Sequence, residues 1–115
     1  MSPRSRSRTR TGRAQPPVLF AALGDATRLA LVGKLSSGQP ASIAQLTAGS
    51  RLTRQAITKH LGVLRRAGMV HSTRAGREQL FTLDPLPMQK MQQYLDRVSH
   101  QWDRALARLK AFVED

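Results

Sequence analysis

No cysteine occurs anywhere in this 115-residue sequence. Disulfide frameworks, thiolate zinc sites, iron–sulfur clusters and cysteine nucleophiles are thereby excluded, since each needs a sulfur that is not there. The lack of thiols fits a reducing compartment, and a cytoplasmic location is expected. Long hydrophobic runs are missing too: the longest, residues 18–23, falls far short of the roughly 20 residues a bilayer-spanning helix requires. No membrane partner is expected. Aromatic residues make up only 4% of the chain, which argues against modules that recognise RNA by stacking its bases and leaves only shape-based RNA binding open. The few carboxylates are scattered. There is no Gly-rich phosphate loop, no serine elbow and no grouping of histidine, acid and nucleophile, so an enzyme is not expected.

Acids are the scarcest charged class, 7 against 19 Lys and Arg, for a formal net charge of +12. Their placement says more than their number. Between Asp25 and Glu78 there is no acid at all, while Arg28, Lys34, Arg51, Arg54, Lys59, Arg65, Arg66, Arg74 and Arg77 fall in that stretch. From residue 86 onward the signs nearly balance, with Lys90, Arg97, Arg104, Arg108 and Lys110 set against Asp96, Asp103, Glu114 and Asp115. A one-signed centre followed by a balanced end implies a polyanion-binding surface joined to a helix of another kind.

The length allows one small domain, which buries a limited share of its surface alone and gains from a partner. Residues 1–15 form an Arg-rich arm, with Arg4, Arg6, Arg8, Arg10 and Arg13 among polar residues. The arm is expected to be disordered in isolation, either simply solvated or lying along DNA phosphates or a minor groove. Pro16 and Pro17 open a first helix, ended by Gly24. Asp25 caps a second that runs through Leu29, Val32 and Leu35 to Ser36-Ser37-Gly38. Ser42-Ile43-Ala44-Gln45 reads as a capping box opening a short third helix. Thr53 caps a fourth, with Ile57, Leu61 and Leu64 on its inner face and Ala67-Gly68 at its end. Two β-prone runs, 69–73 and 79–83, flank the turn Arg74-Ala75-Gly76-Arg77 and predict a hairpin. Asp84-Pro85 then breaks the strand ahead of a long helix over 86–113.

In that last helix Met88, Met91, Leu95, Val98, Trp102, Ala105, Leu109 and Phe112 recur in alternating steps of three and four, the spacing of an a/d seam. A helix of roughly 40 Å exceeds what so small a domain needs for its own core, and the seam is expected to pack on a second copy. The fold class is therefore mainly α with a small β-hairpin wing: a winged helix-turn-helix in the order α-α-α-α-β-β-α, with the last helix pairing two copies. Residues 16–85 form the DNA-binding domain, and 86–115 a dimerisation helix within the same compact unit. Leu19, Met88, Met91, Leu95, Val98, Trp102 and Leu109 are the expected interface residues.

In such a fold the third helix braces the DNA backbone and the fourth enters the major groove. Arg54, Gln55, Thr58 and Lys59, near the start of the fourth helix and on the face opposite its apolar one, are the expected base-reading side chains, because Arg suits guanine and Gln suits adenine. Ser42, Arg51, Thr53, Arg74 and Arg77 suit phosphate contacts from helix starts and the wing. The expected partners are double-stranded DNA and a second copy of the chain. A docking module for another protein, or a non-specific nucleic-acid binder, is the competing reading.

The segment Leu23-Gly24-Asp25-Ala26-Thr27-Arg28-Leu29 resembles the "L-x-D-P-T-R" opening of the ArsR/SmtB regulators, with Ala26 in place of proline. "SIAQLTAGSRLTRQAITKHLGVLRRAGMV", residues 42–70, is similar to that family's helix-turn-helix, His60-Leu61 matching its H-L pair and Ala67-Gly68-Met69-Val70 its end. "RAGREQLFTLDP" resembles its basic, Gly-containing wing. The resemblance covers residues 17–113 and implies a dimeric, usually repressing, operator-binding protein whose dimers pair through the first and last helices. It also implies where metal would bind. The arsenic and cadmium sensors use cysteines, which are absent. The zinc sensors use four ligands on the last helix at offsets 0, +2, +13 and +16, and placing His100 and Asp103 last would put Pro87 and Gln89 first. Neither can serve. Trp102, Leu106 and Leu109 instead resemble the metal-independent branch, so no metal or other cofactor is expected; a small-molecule effector stays open.

Overall fold

The computed structural model describes residues 14–114; most of the Arg-rich arm lies outside the described residues. Helix α1 (Pro16–Leu23) carries proline in its first turn, where the missing N–H would have no intrahelical partner. Asp25 opens α2 (Ala26–Leu35), its carboxylate accepting the Arg28 N–H at 3.0 Å. After the turn at Gly38 comes β1 (Ala41–Ser42), then α3 (Ile43–Thr47). The capping box is complete: Gln45 N–H donates to Ser42 Oγ at 3.1 Å, and Ser42 N–H donates to Gln45 Oε1 at 2.8 Å. Thr53 Oγ1 accepts the Ala56 N–H at 3.1 Å to begin α4 (Arg54–Arg66). That helix closes through Met69 N–H to the Leu64 carbonyl at 2.9 Å, with Gly68 at a positive φ of 80°. Glycine suits this position because a Cβ would clash in the left-handed conformation. The hairpin β2 (Val70–Ala75) and β3 (Glu78–Leu83) follows, and α5 (Pro85–Glu114) completes the chain.

The expected hairpin is present as β2 and β3, and β1 adds a third antiparallel strand in the order β1-β3-β2. Ala41 and Ser42 pair with Phe81 and Leu80. A two-residue strand has no period to reveal it, and only the return of β3 alongside supplies its partner. Pairing of Ala75 with Glu78 narrows the hairpin tip to Gly76-Arg77, inside the four residues expected.

The core forms where α1, α2, α3, α4 and the sheet meet, around Leu19, Leu31, Leu35, Leu46, Ile57, Leu61, Leu64, Met69, Val70 and Phe81. The inner face of α4 is the one its spacing predicts. The seam of α5 divides, however. Met91 is 4% exposed and joins the protomer's own core, with Met88 packed against it. Leu19, expected at the dimer interface, is fully buried within the protomer. These three are corrected to protomer packing, because the first turns of α5 lie on α1 and use the seam there. Phe20 and Tyr94, with ring centroids 5.8 Å apart, and the Lys90 Nζ bond to the Ala14 carbonyl at 3.2 Å mark that contact. Past it α5 leaves the domain, and Leu95, Val98, Trp102, Leu106, Leu109 and Phe112 are exposed.

Candidate nucleic-acid interface

Residues of α4 turn by about 100° each, so the buried Ile57, Leu61 and Leu64 fix where every other side chain points. Gln55, Lys59, Gly62 and Arg66 face away from the core, and Thr58 borders them. Gln55, Thr58 and Lys59 are exposed. The Thr58 hydroxyl donates to the Arg54 carbonyl at 2.7 Å, so toward a partner it offers its methyl and a lone pair. Arg54 is exposed but lies about 100° around the helix from Gln55 and about 140° from Lys59, on the flank that Thr58 borders. It precedes Arg65 by eleven positions, about three turns, and the two lie on one row. Arg65 donates to Ser72 Oγ of β2 at 3.1 Å, so this row is the one that faces the wing.

Arg54 accordingly lines a cleft of about 290 Å³ between α4 and the wing, together with Arg74, Arg77, Glu78 and Gln79. Ser42, Ile43 and Ala44 form its floor. Of the residues expected at phosphates, the fold thus gathers Ser42, Arg74 and Arg77 at this cleft and adds Arg54. It does not bring Arg51 to them: Arg51 lies in the α3–α4 turn, on a separate groove shared with Lys34, Ser50 and Leu52. Thr53 is exposed, its hydroxyl oxygen holding the cap of α4. Ser42 lines the cleft but is 4% exposed, its hydroxyl oxygen already accepting the Gln45 N–H that caps α3.

A joint between α2 and α4 is absent from the sequence reading. Arg28 Nε donates to the Ala22 carbonyl at 2.6 Å, and its Nη1 lies 3.3 Å from His60 Nδ1. For Arg28 to donate, that ring nitrogen must carry the lone pair. Asp25 Oδ2 stands 3.6 Å from the same atom. The Arg28 backbone N–H holds the Asp25 carboxyl below its ordinary value, against some desolvation and with help from the Arg28 charge. Arg28 is thus a strut fixing α4 to α1 and α2, not part of the free basic face. Its motif and the His60-Leu61 pair were both visible in the sequence. Their pairing, across 32 positions, was not.

His71 Nε2 meets Asp84 Oδ2 at 2.7 Å, and Asp84 Oδ1 accepts the Leu86 N–H at 2.9 Å. The base of the wing and the start of α5 are therefore tied by one carboxylate. Among the described residues no group of three or more His, Cys, Asp or Glu could hold a metal ion. His100 and Asp96 share their surface with Arg97 and Arg104, which oppose a cation there. No described helix is long and apolar enough to cross a membrane.

Comparison with known proteins agrees with this geometry. The family described as "Helix-turn-helix domain" matches residues 23–73, from the end of α1 into β2. The HTH-type transcriptional regulator Rv2034 of Mycobacterium tuberculosis is 35% identical over 91 residues, spanning 79% of this chain and 81% of that protein. The uncharacterized HTH-type transcriptional regulator YuzN of Bacillus subtilis is 35% identical over 79 residues, 64% of this chain and 86% of its own. Among solved structures, an ArsR-like transcriptional regulator from Rhodococcus sp. RHA1 superposes with a TM-score of 0.71 at 34% identity, covering 84% of this chain and 91% of that one.

Proposed function

Because this chain belongs to the ArsR family of winged helix-turn-helix transcriptional regulators, which are DNA-binding proteins and not enzymes, we propose that it is a homodimeric repressor acting in the cytoplasm on an inverted-repeat operator, without metal control. The observation that carries this reading is the outward face of α4, where Gln55, Thr58 and Lys59 project beside a cleft holding three arginines. The α-helix enters the major groove and its outward side chains read base edges, while the basic flank meets phosphates. The uncovered far half of α5 supplies the self-complementary surface of a two-fold dimer, and such a dimer reads half-sites about one helical turn apart. What supports independence from metal is the missing cysteines, the commitment of His60 and His71 to neighbouring side chains, and the arginines around His100.

Binding selection from a random duplex library at near-physiological salt, followed by sequencing, tests the proposal. An enriched inverted repeat supports a dimeric sequence reader, and blocked transcription from a promoter carrying that repeat supports repression. Tight, salt-sensitive binding without enrichment would instead mark a non-specific binder, since phosphate attraction alone carries no sequence preference.

A further inference from the structure

We infer that the cleft between the start of α4 and the wing seats one backbone phosphate of the duplex, and that Arg54 serves this seat instead of reading a base. The assignment rests on the DNA-binding reading proposed for the same surface and distributes roles within it.

The first reason is angular. Arg54 lies nearer in direction to Leu61 than to Gln55 or Lys59, at about 100° per residue. A helix with its side chains is about 10–12 Å across, and the major groove it enters is about 12 Å wide. Side chains on its outward face therefore meet base edges, and side chains on its flank meet the phosphate walls. The second reason is company. Arg54 of α4 and Arg74 and Arg77 of the wing converge on one cleft of about 290 Å³, with Glu78 the only acid lining it among the described residues.

Among the described residues no hydrogen bond or ion pair engages these three guanidiniums, whereas Arg28 and Arg65 are both bonded. Three like charges on one cleft, offset by a single carboxylate, leave a net attraction for an anion. A phosphodiester suits it, having one charge and two free oxygens that guanidinium forks bind in parallel. Because the arginines come from two elements, filling the seat also fixes the wing relative to α4. The register of Gln55 and Lys59 on the bases is then set by a contact that reads no base.

The test uses the full chain and the duplex recovered by selection. Each phosphate of a half-site is replaced in turn by an uncharged methylphosphonate, and binding is measured for the wild type, Arg54→Ala, Arg77→Ala and Gln55→Ala. One replacement should cost the wild type and Gln55→Ala about tenfold, the size of a lost charge-assisted hydrogen bond. The same replacement should cost Arg54→Ala and Arg77→Ala less than about threefold, because their seat is already broken. Library selection with Arg54→Ala should return the wild-type sequence preference at lower affinity for every duplex. Arg54→Ala that relaxes preference at one base pair while keeping the full methylphosphonate loss would overturn the assignment. Wild-type protein that enriches no sequence would overturn the underlying DNA-reading proposal instead, and that outcome appears before any variant is made.

Discussion

Trp102→Ala should dissociate the proposed two-fold dimer while leaving each protomer folded. Trp102 is 62% exposed in the single chain. A tryptophan offers up to about 250 Å², so about 150 Å² of it is free to be covered by a partner. At about 25 cal/mol per Å² this area is worth at most about 4 kcal/mol. Association recovers only part of the area term, since ordering and lost freedom oppose it; about half leaves about 2 kcal/mol per copy. Two-fold symmetry counts the substitution twice, so the dimer should weaken by about 4 kcal/mol, or about a thousandfold in dissociation constant. Protomer stability should hardly change, because Trp102 lies eleven residues beyond Met91, the last buried residue of α5, or about 16 Å along the helix. Sedimentation equilibrium over a concentration series, with circular dichroism to follow the fold, measures both quantities. A variant that dimerises as tightly as the wild type would refute the reasoning and place the contact elsewhere.

Leu61→Ala in the recognition helix, 1% exposed, should cost about 2–5 kcal/mol in urea unfolding; a loss under about 1 kcal/mol would mean that α4 is not docked through this face. Asp25 has its folded-state pKa depressed below 3.8, chiefly by the Arg28 backbone N–H. Its contribution to stability is whole above the unfolded value and is lost as pH falls through the folded one. Asp25→Asn should therefore flatten the stability profile below about pH 4 and shift it little between pH 6 and 8, and an unaltered acid limb would argue against the cap. Zinc, cadmium or arsenite at micromolar concentration should leave the selected duplex bound in a gel-shift assay, and release by any of them would overturn metal independence.

Much of the architecture could be read locally. The caps at Asp25, Ser42 and Thr53 and the inner face of α4 fall where the residue spacing puts them, because capping and helical periodicity act over three or four positions. The acid-free centre likewise marked the stretch that carries the basic face. These features depend only on neighbours in the chain, and composition and order determine them.

Tertiary structure alone decided the rest, and in each case the cause is a neighbour distant in sequence. The heptad seam of α5 showed which face is apolar, but only the position of α1 turned Met88 and Met91 into protomer core and left Trp102 and Leu109 uncovered. The two residues of β1 became a strand because β3 returns beside them. Arg28 was one basic residue among nine until the fold placed His60 against it. The direction of Arg54 followed from helix geometry, yet the wing arginines on that flank did not. A side chain's direction is a local property of its helix, whereas what it meets there depends on how separate elements pack.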